Sequence, residues 1–176
     1  MVRLLRPALG LCAVFFVILG LAYPLAATGI AQTLMGHQAN GSLTANGSPL
    51  VGQRWSGARW FHGRPDADNP MATGGTNLGP RSKLLVTDTR DQIKALRAAR
   101  INPTPDLVTT SGSGVDPDIA PADAYAQAKS VARAAGLPLR EVRRLIATHV
   151  QEPQFGFLGS AYINVLQLNE ALARLS

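Results

Sequence analysis

The sequence predicts an α+β protein, with one N-terminal transmembrane helix followed by a small mixed α/β extracytoplasmic domain of about four helices and a few short strands. Three observations support this class. Residues 7–53 contain no Lys, Arg, Asp or Glu, whereas every acidic residue and 15 of the 17 basic residues follow them. Apolar residues recur at helical spacing in the later part of the chain. Between these helices lie short β-like runs and Gly-rich turns.

Length and composition exclude several classes of protein. The 176 residues allow one compact domain and one appendage, which excludes a large multidomain enzyme. The formal net charge is +6, but the arginines are scattered and only 6% of residues are aromatic. Nucleic-acid binders cluster their basic residues on one face, so we predict no nucleic-acid partner. The single cysteine, Cys12, excludes an intrachain disulfide and a cysteine-based metal site.

The first element is the apolar run over residues 7–35, which is longer than the roughly 20 residues needed to cross a bilayer. Pro7 falls in the first turn, where a helix tolerates proline. Pro24 removes a backbone hydrogen bond and predicts a kink. Gly36 is the predicted end of the helix.

The charges that flank this run predict its orientation. Arg3 and Arg6 precede the span, which places the N-terminus in the cytoplasm and the rest of the chain outside the cytoplasmic (inner) membrane. A cleaved signal peptide is the alternative, because small residues at Gly29 and Ala31 fit the cleavage rule. The apolar character continues to Leu34, beyond that site, and favours a retained single-pass anchor.

The predicted division of the chain is a cytoplasmic stub and transmembrane helix over residues 1–35, a linker or hairpin over 36–49, and the extracytoplasmic domain over 50–176. The linker contains Asn-Gly twice, a pair that favours turns with positive φ. Both pairs are followed by serine and match the glycosylation acceptor pattern, but turn chemistry is sufficient to explain them.

The domain begins with aromatic and apolar residues that predict one or two short strands: Leu50, Val51, Trp55, Trp60 and Phe61. Residues 63–80 are rich in Gly, Pro and Asn. A loop of this length is unusual in a compact domain and is more often functional than idle. Residues 107–110 form a second β-like run that leads into a glycine-serine turn.

Four helices follow from periodicity and from start and stop signals. The spacing predicts a helix over residues 82–100. Pro121 and Gly136 mark the start and the end of a second helix. A third covers residues 142–149, and a last one begins at Asn164 as N-cap.

Catalytic motifs are absent from the sequence. It contains no GxxxxGK[ST] phosphate loop, GxSxG elbow or HExxH pair, which argues against an autonomous enzyme. The three histidines fall in different predicted elements and do not predict a metal site. Asp116 and Asp118 flank Pro117 before a helix, where acidic residues form turns and compensate the helix dipole. Residues 110–114 are either an anion-binding nest or a tight chain reversal.

Six ordered segments carry a resemblance to a known family. They are RPALGL…GLAYPL (6–25), HQANGSL (37–43), FHGRP (61–65), GGTNLGP (74–80), TTSGSGVDPDI (109–119) and GFLG…INVLQLN (156–169). Together they make the chain similar to the C subunit of the bacterial Kdp-type potassium-transporting ATPases, the KdpC family. The resemblance covers nearly the whole chain.

The resemblance implies a non-catalytic, single-span subunit of a high-affinity, ATP-driven potassium importer. Its partners would be a channel-like potassium-translocating subunit and a P-type ATP-hydrolysing subunit, together with membrane lipid. The family role is that of a catalytic chaperone that raises the ATP affinity of the pump. No cofactor would be firmly bound, and ATP would be met through the ATP-hydrolysing partner. The alternative is a stand-alone membrane-anchored enzyme or binding module, which would not co-purify with larger membrane subunits.

Seven residues are the candidates for partner contact: Arg64, Pro65, Asn77, Ser111, Ser113, Asp116 and Asn164. The guanidinium of Arg64 suits bidentate pairing with a carboxylate, and Asn77 offers both a donor and an acceptor. Two roles remain open for Arg64. It either faces a partner or pins the long loop to its own domain, since long loops need internal hydrogen bonds to stay ordered.

We predict that the anchor is retained and that Phe16→Asp impairs membrane insertion. A carboxylate near a helix centre costs about 2.5 to 3.5 kcal/mol on translocon scales. The fraction of chain that stays in alkali-washed membranes measures the effect, with Phe16→Leu as control. N-terminal sequencing of the mature chain tests retention, and a mature start near Gln32 would contradict it.

Overall fold

The computed structural model describes residues 2–65 and 73–175, and the chain forms two compact units, Met1–Leu43 and Thr44–Ser176. The first unit is helical. It contains α1 (Val2–Phe15), a π-helical segment (Phe16–Ala22), α2 (Tyr23–Leu34) and the short α3 (Gly36–Ala39). Among the described residues, one helix is long and apolar enough to cross a membrane, and it covers Leu4–Leu34.

A π-helical segment lies immediately before Tyr23 and Pro24, where the sequence predicts a kink. The Tyr23 N–H donates to the carbonyl of Ile18, five residues earlier. A proline lacks the N–H for the usual bond, and its ring crowds the carbonyl four residues back, which belongs to Gly20. The wider π-helical turn makes room for that ring. The helix ends at Leu34, two residues before the predicted stop.

The second unit contains four helices that match the predicted ones. They are α4 (Lys83–Ala98), α6 (Pro121–Ala135), α7 (Leu139–His149) and α8 (Val165–Ala173). The predicted caps at Gly136 and Asn164 are confirmed, and Ser82 provides a third cap. The Ser82 hydroxyl accepts from the Leu85 N–H at 3.4 Å, Gly136 is left-handed with φ 71°, and the Asn164 side chain accepts from the Gln167 N–H at 3.2 Å.

Two short strands complete the α+β class. β1 (Asp118–Ile119) pairs antiparallel with β2 (Ile163–Asn164), and Ile119 lies opposite Ile163. The core is formed by the sheet and the inner faces of α6, α7 and α8, with these buried residues: Phe61, Ile119, Ala124, Ala128, Val131, Ala132, Val142, Ile146, Ile163, Val165, Leu168 and Leu172. No side chain of α4 is fully buried, so α4 lies at the edge of this core.

The predicted strands within residues 50–61 are absent, although the segment does reach the core. Phe61 is 0% exposed, and its backbone pairs with a side chain instead of a strand. Its N–H donates to Asn169 Oδ1 at 2.9 Å, and its carbonyl accepts from Asn169 Nδ2 at 2.9 Å. Gln127 pairs with the next residue in the same way, at 2.8 Å to the His62 N–H and 3.0 Å to the His62 carbonyl. Two carboxamides therefore replace the expected strand partner.

The β-like run predicted at residues 107–110 is also wrong. The structure has a one-turn helix there, α5 (Pro105–Val108), which is a fifth helix in this unit. Pro105 stands at the first helical position, where its fixed φ favours a helix and its missing N–H costs nothing. The Thr109 hydroxyl then donates to the Pro105 carbonyl at 2.7 Å and closes the turn.

We predict that Asn169→Leu strongly destabilises the chain. The variant keeps a similar volume but leaves the N–H and the carbonyl of buried Phe61 without partners, at about 1 to 3 kcal/mol for each group. The melting temperature of the detergent-solubilised chain, followed by near-ultraviolet circular dichroism, should fall by many degrees. Gln167→Leu, on the exposed side of α8, is the matched control. Equal melting temperatures for the two variants would contradict the role of Asn169.

Candidate partner-contact site

Arg64 lies at the centre of an ion-pair network inside the second unit. Its Nη2 is 2.6 Å from Asp106 Oδ1, and its Nε is 3.2 Å from Asp116 Oδ2. The side chain of Arg64 is 20% exposed. Of the two roles left open by the sequence, this geometry favours the one in which Arg64 pins the start of the long loop to its own domain.

The second oxygens of the two carboxylates hold backbone groups. Asp106 Oδ2 accepts from the Ala120 N–H at 3.1 Å, just before α6 begins. Asp116 Oδ1 accepts from the Asp118 N–H at 3.1 Å, at the first residue of β1. Each carboxylate therefore joins the guanidinium to the start of a regular element. The link from Arg64 to Asp106 is a charge-assisted hydrogen bond, and the link to Asp116 is an ion pair.

A third carboxyl group, that of Asp123, lies buried next to this network and is 2% exposed. Burial raises the pKa of Asp123, the Thr104 hydroxyl lowers it in part, and the carboxylate of Asp106 raises it again. A further negative charge beside Asp106 is therefore unfavourable. The ion pairs that the structure gives Arg64 are those with Asp106 and Asp116.

Ser111 and Ser113 stabilise the turn in which they lie. The Ser111 hydroxyl accepts from the Gly114 N–H at 2.9 Å, and the Ser113 hydroxyl accepts from the Val115 N–H at 3.2 Å. Gly114 has φ 74°, and a Cβ there would lie 2.5 Å from the Gly74 carbonyl oxygen. These N–H groups are engaged by the turn's own hydroxyls, so the geometry favours the tight chain reversal over an anion nest.

The long loop packs against this turn through its backbone. The Gly74 N–H donates to the Ser113 carbonyl at 2.7 Å. Asn77 is exposed and left-handed, with φ 54°. Pro65 directly follows Arg64, and residues 66–72 of the predicted functional loop lie outside the described residues.

The side chain of Asn164, in β2, holds the segment at Pro49 and the first residue of β1. Its Nδ2 donates to the Pro49 carbonyl at 2.8 Å and to Asp118 Oδ1 at 2.9 Å, while its Oδ1 caps α8. Burial raises the pKa of Asp118, the hydrogen bond from Asn164 lowers it, and the charge of Asp116 raises it again. These contacts of Asn164 all lie inside the second unit.

A polar cleft of about 440 Å³ opens beside the network. Its lining includes Arg64, His62 and Trp55. Burial lowers the pKa of His62, although hydrogen bonds to Gln127 and to two backbone groups oppose the change. The Trp55 ring packs against that of Trp60, with the centroids 5.1 Å apart. Such a cleft suits recognition of a polar group. Among the described residues, no three His, Cys, Asp or Glu side chains come together as a metal site.

Sequence reasoning missed three residues on which this arrangement depends: Asp106, Gln127 and Asn169. Two of them left a signal. Gln127 and Asn169 share helix faces with the apolar residues Val131 and Leu172, and a polar residue on an apolar stripe indicates a buried hydrogen bond. For Asp106 the only local sequence signal is its position after a proline, because its partner Arg64 lies 42 residues away.

The fold and the site define a class of protein. The described residues contain one helix suited to a membrane and an α+β unit whose polar side chains serve mainly its own architecture. The family described as "KdpC: K+-transporting ATPase, c chain" matches residues 5–174. The chain belongs to this family, the KdpC subunits of potassium-transporting ATPases.

Curated relatives agree with the family match over nearly the full chain. The chain is 47% identical to the potassium-transporting ATPase KdpC subunit of Caulobacter vibrioides, over 96% of this chain and 91% of the relative. It is 47% identical to that of Variovorax paradoxus, over 97% and 95%. The KdpC subunit of Nitratidesulfovibrio vulgaris is 42% identical, over 100% and 96%.

We predict that Arg64→Ala lowers the melting temperature of the full-length chain by several degrees, because it leaves two partly buried carboxylates without their cation, at about 2 kcal/mol. Arg64→Lys should not restore it, since one ammonium cannot bridge both carboxylates as a guanidinium fork does. Arg90→Ala, on the exposed face of α4, is the control. An unchanged melting temperature together with weaker assembly would assign Arg64 to a partner contact instead.

Proposed function

We propose that this chain is an accessory, non-catalytic subunit that stabilises a high-affinity, ATP-driven potassium importer. One observation carries the proposal. The polar side chains that could do chemistry, such as Arg64, Asp106 and Asp116, are committed to ion pairs and backbone contacts inside their own unit. Side chains so engaged support a role in architecture and assembly. The partners are a channel-like potassium-translocating subunit and a P-type ATP-hydrolysing subunit.

The proposed topology has the N-terminus in the cytoplasm, one span through the cytoplasmic membrane, and the α+β unit outside. Arg3 and Arg6 support it, because they precede the apolar helix and no Lys or Arg follows until Arg54. The helix also positions the chain for lateral contact with other membrane-spanning subunits and with lipid.

The chain further acts as a catalytic chaperone that raises the ATP affinity of the ATP-hydrolysing subunit. With the α+β unit outside the cytoplasm, ATP is met only through that partner, and no cofactor is firmly held. The effect is then a coupling between two binding events, and coupling is reciprocal. If the subunit raises ATP affinity by a given factor, ATP strengthens the binding of the subunit by the same factor.

The experiment compares the reconstituted importer with and without this chain. We expect potassium-stimulated ATP hydrolysis to fall strongly without it, and the apparent KM for ATP of any remaining activity to rise. The purified chain alone should hydrolyse no ATP. The reciprocal measurement is the dissociation constant of the chain from the other subunits, with and without a non-hydrolysable ATP analogue.

Two outcomes would contradict the proposal. ATP hydrolysis by the purified chain would make it an enzyme. Full pump activity in the absence of the chain would contradict a role in assembly. If the chain also fails to co-purify stoichiometrically with the larger subunits, a stand-alone membrane-anchored module is favoured.

A further inference from the structure

A β-hairpin over residues 151–162 presents apolar side chains to solvent. Gln151 and Tyr162 close its base with two backbone hydrogen bonds, of 2.8 and 3.0 Å. At the other end, Phe155 is 87% exposed, Phe157 80% and Leu158 55%. We call these three residues the tip cluster. Two nearly fully exposed phenylalanines side by side are unusual on a folded surface and mark an interaction site.

The tip of this hairpin is held by its own hydrogen bonds. Gln154 and Leu158 exchange two backbone bonds, of 3.0 and 2.9 Å, and the Gly156 N–H donates to the Pro153 carbonyl at 3.0 Å. Phe155 is left-handed, with φ 55°, which is a rare conformation for a bulky residue. The turn therefore holds the Phe155 ring outward in a backbone conformation that phenylalanine disfavours. A rigid presentation of this kind lowers the entropy cost of binding.

A recess lies at the base of the same hairpin. Its volume is about 540 Å³, and its lining includes Gln151, Tyr162 and Gln167. Polar groups therefore line the base of the hairpin, at the end opposite the tip cluster. Protein interfaces combine an aromatic anchor with a polar, solvated rim in this way.

The charge of the hairpin and of the recess lining indicates the chemistry of the surface that would bind them. The chain as a whole carries +6, yet the only charged residues in the described hairpin and the recess lining are Glu152 and Asp118, both acidic. Segments that bind membrane surfaces carry Lys or Arg to attract anionic lipid, and this surface has neither. Its complement is an apolar groove with basic side chains at the rim.

We propose that the tip cluster docks into an apolar groove, rimmed by basic side chains, on one of the larger subunits of the pump. This inference rests on the proposed function and names the surface through which this chain contacts a larger subunit. The tip cluster supplies the binding contacts, and Glu152 supplies charge complementarity at the rim.

The main test removes both rings and keeps the turn. Phe155→Asn tolerates a left-handed φ, and Phe157→Ser removes the second ring. In the full-length chain, we expect an unchanged melting temperature and binding to the larger subunits weakened at least tenfold, measured by co-purification across a concentration series. Leu84→Ser removes a 57%-exposed leucine from α4 and should leave binding unchanged. Wild-type binding by the double variant overturns the proposal.

Two further measurements separate a protein groove from lipid. Glu152→Lys should weaken assembly, because it places a cation against the basic rim, whereas stronger or unchanged assembly overturns the predicted rim. A benzophenone amino acid in place of Phe157 should crosslink, in the membrane-embedded complex, to a larger subunit. Crosslinking to lipid alone overturns the proposal.

Failure of this inference can be told apart from failure of the proposed function. If the wild-type chain co-purifies with the pump and supports its activity while the hairpin variants do the same, only the tip-cluster assignment is wrong. If the wild-type chain neither co-purifies nor supports activity, the proposed function itself is wrong.

Discussion

Two buried carboxamides hold the second unit together by acting as a strand partner. Its sheet has only two residues per strand, and so short a sheet is at best marginally stable alone. Asn169 and Gln127 each satisfy one donor and one acceptor of consecutive residues, Phe61 and His62. They thereby fasten an irregular segment to α8 and α6. The buried backbone of Phe61 would otherwise lack partners, which a folded interior rarely tolerates.

The position of Arg64 follows from this fastening. Once Phe61 and His62 are fixed, the chain delivers Arg64 two residues later to Asp106 and Asp116. The two carboxylates in turn hold the backbone just before α6 and at the first residue of β1. The hydrogen bonds of Asn169 and the ion pairs of Arg64 thus hold the same short segment, residues 61–64. Through them this segment is joined to α8 and to residues 106–116.

Sequence predicted the elements whose signals are local. Gly136 marks the end of one helix and Asn164 the start of another within a few residues, and the structure confirms both. The strands expected within residues 50–61 were wrong because β propensity does not reveal whether the partner of Phe61 is a strand or, as here, a carboxamide 108 residues away. In the candidate site, Arg64 was identifiable as a residue with a polar role, but its carboxylate partners depend on tertiary contacts that no local pattern records.

The surface of this unit leaves apolar groups, rather than polar ones, available for binding. Enzymes converge unsatisfied polar groups in a cleft and keep large apolar side chains inside. Here the charged groups around Arg64 are engaged in internal ion pairs and hydrogen bonds. Phe155 and Phe157, in contrast, are exposed to solvent on a hydrogen-bonded hairpin. The free energy still available to this surface is therefore that of burying apolar area, which is released only on association. This agrees with the proposed function, in which the subunit acts by fixing the arrangement of its partners without touching the reacting groups.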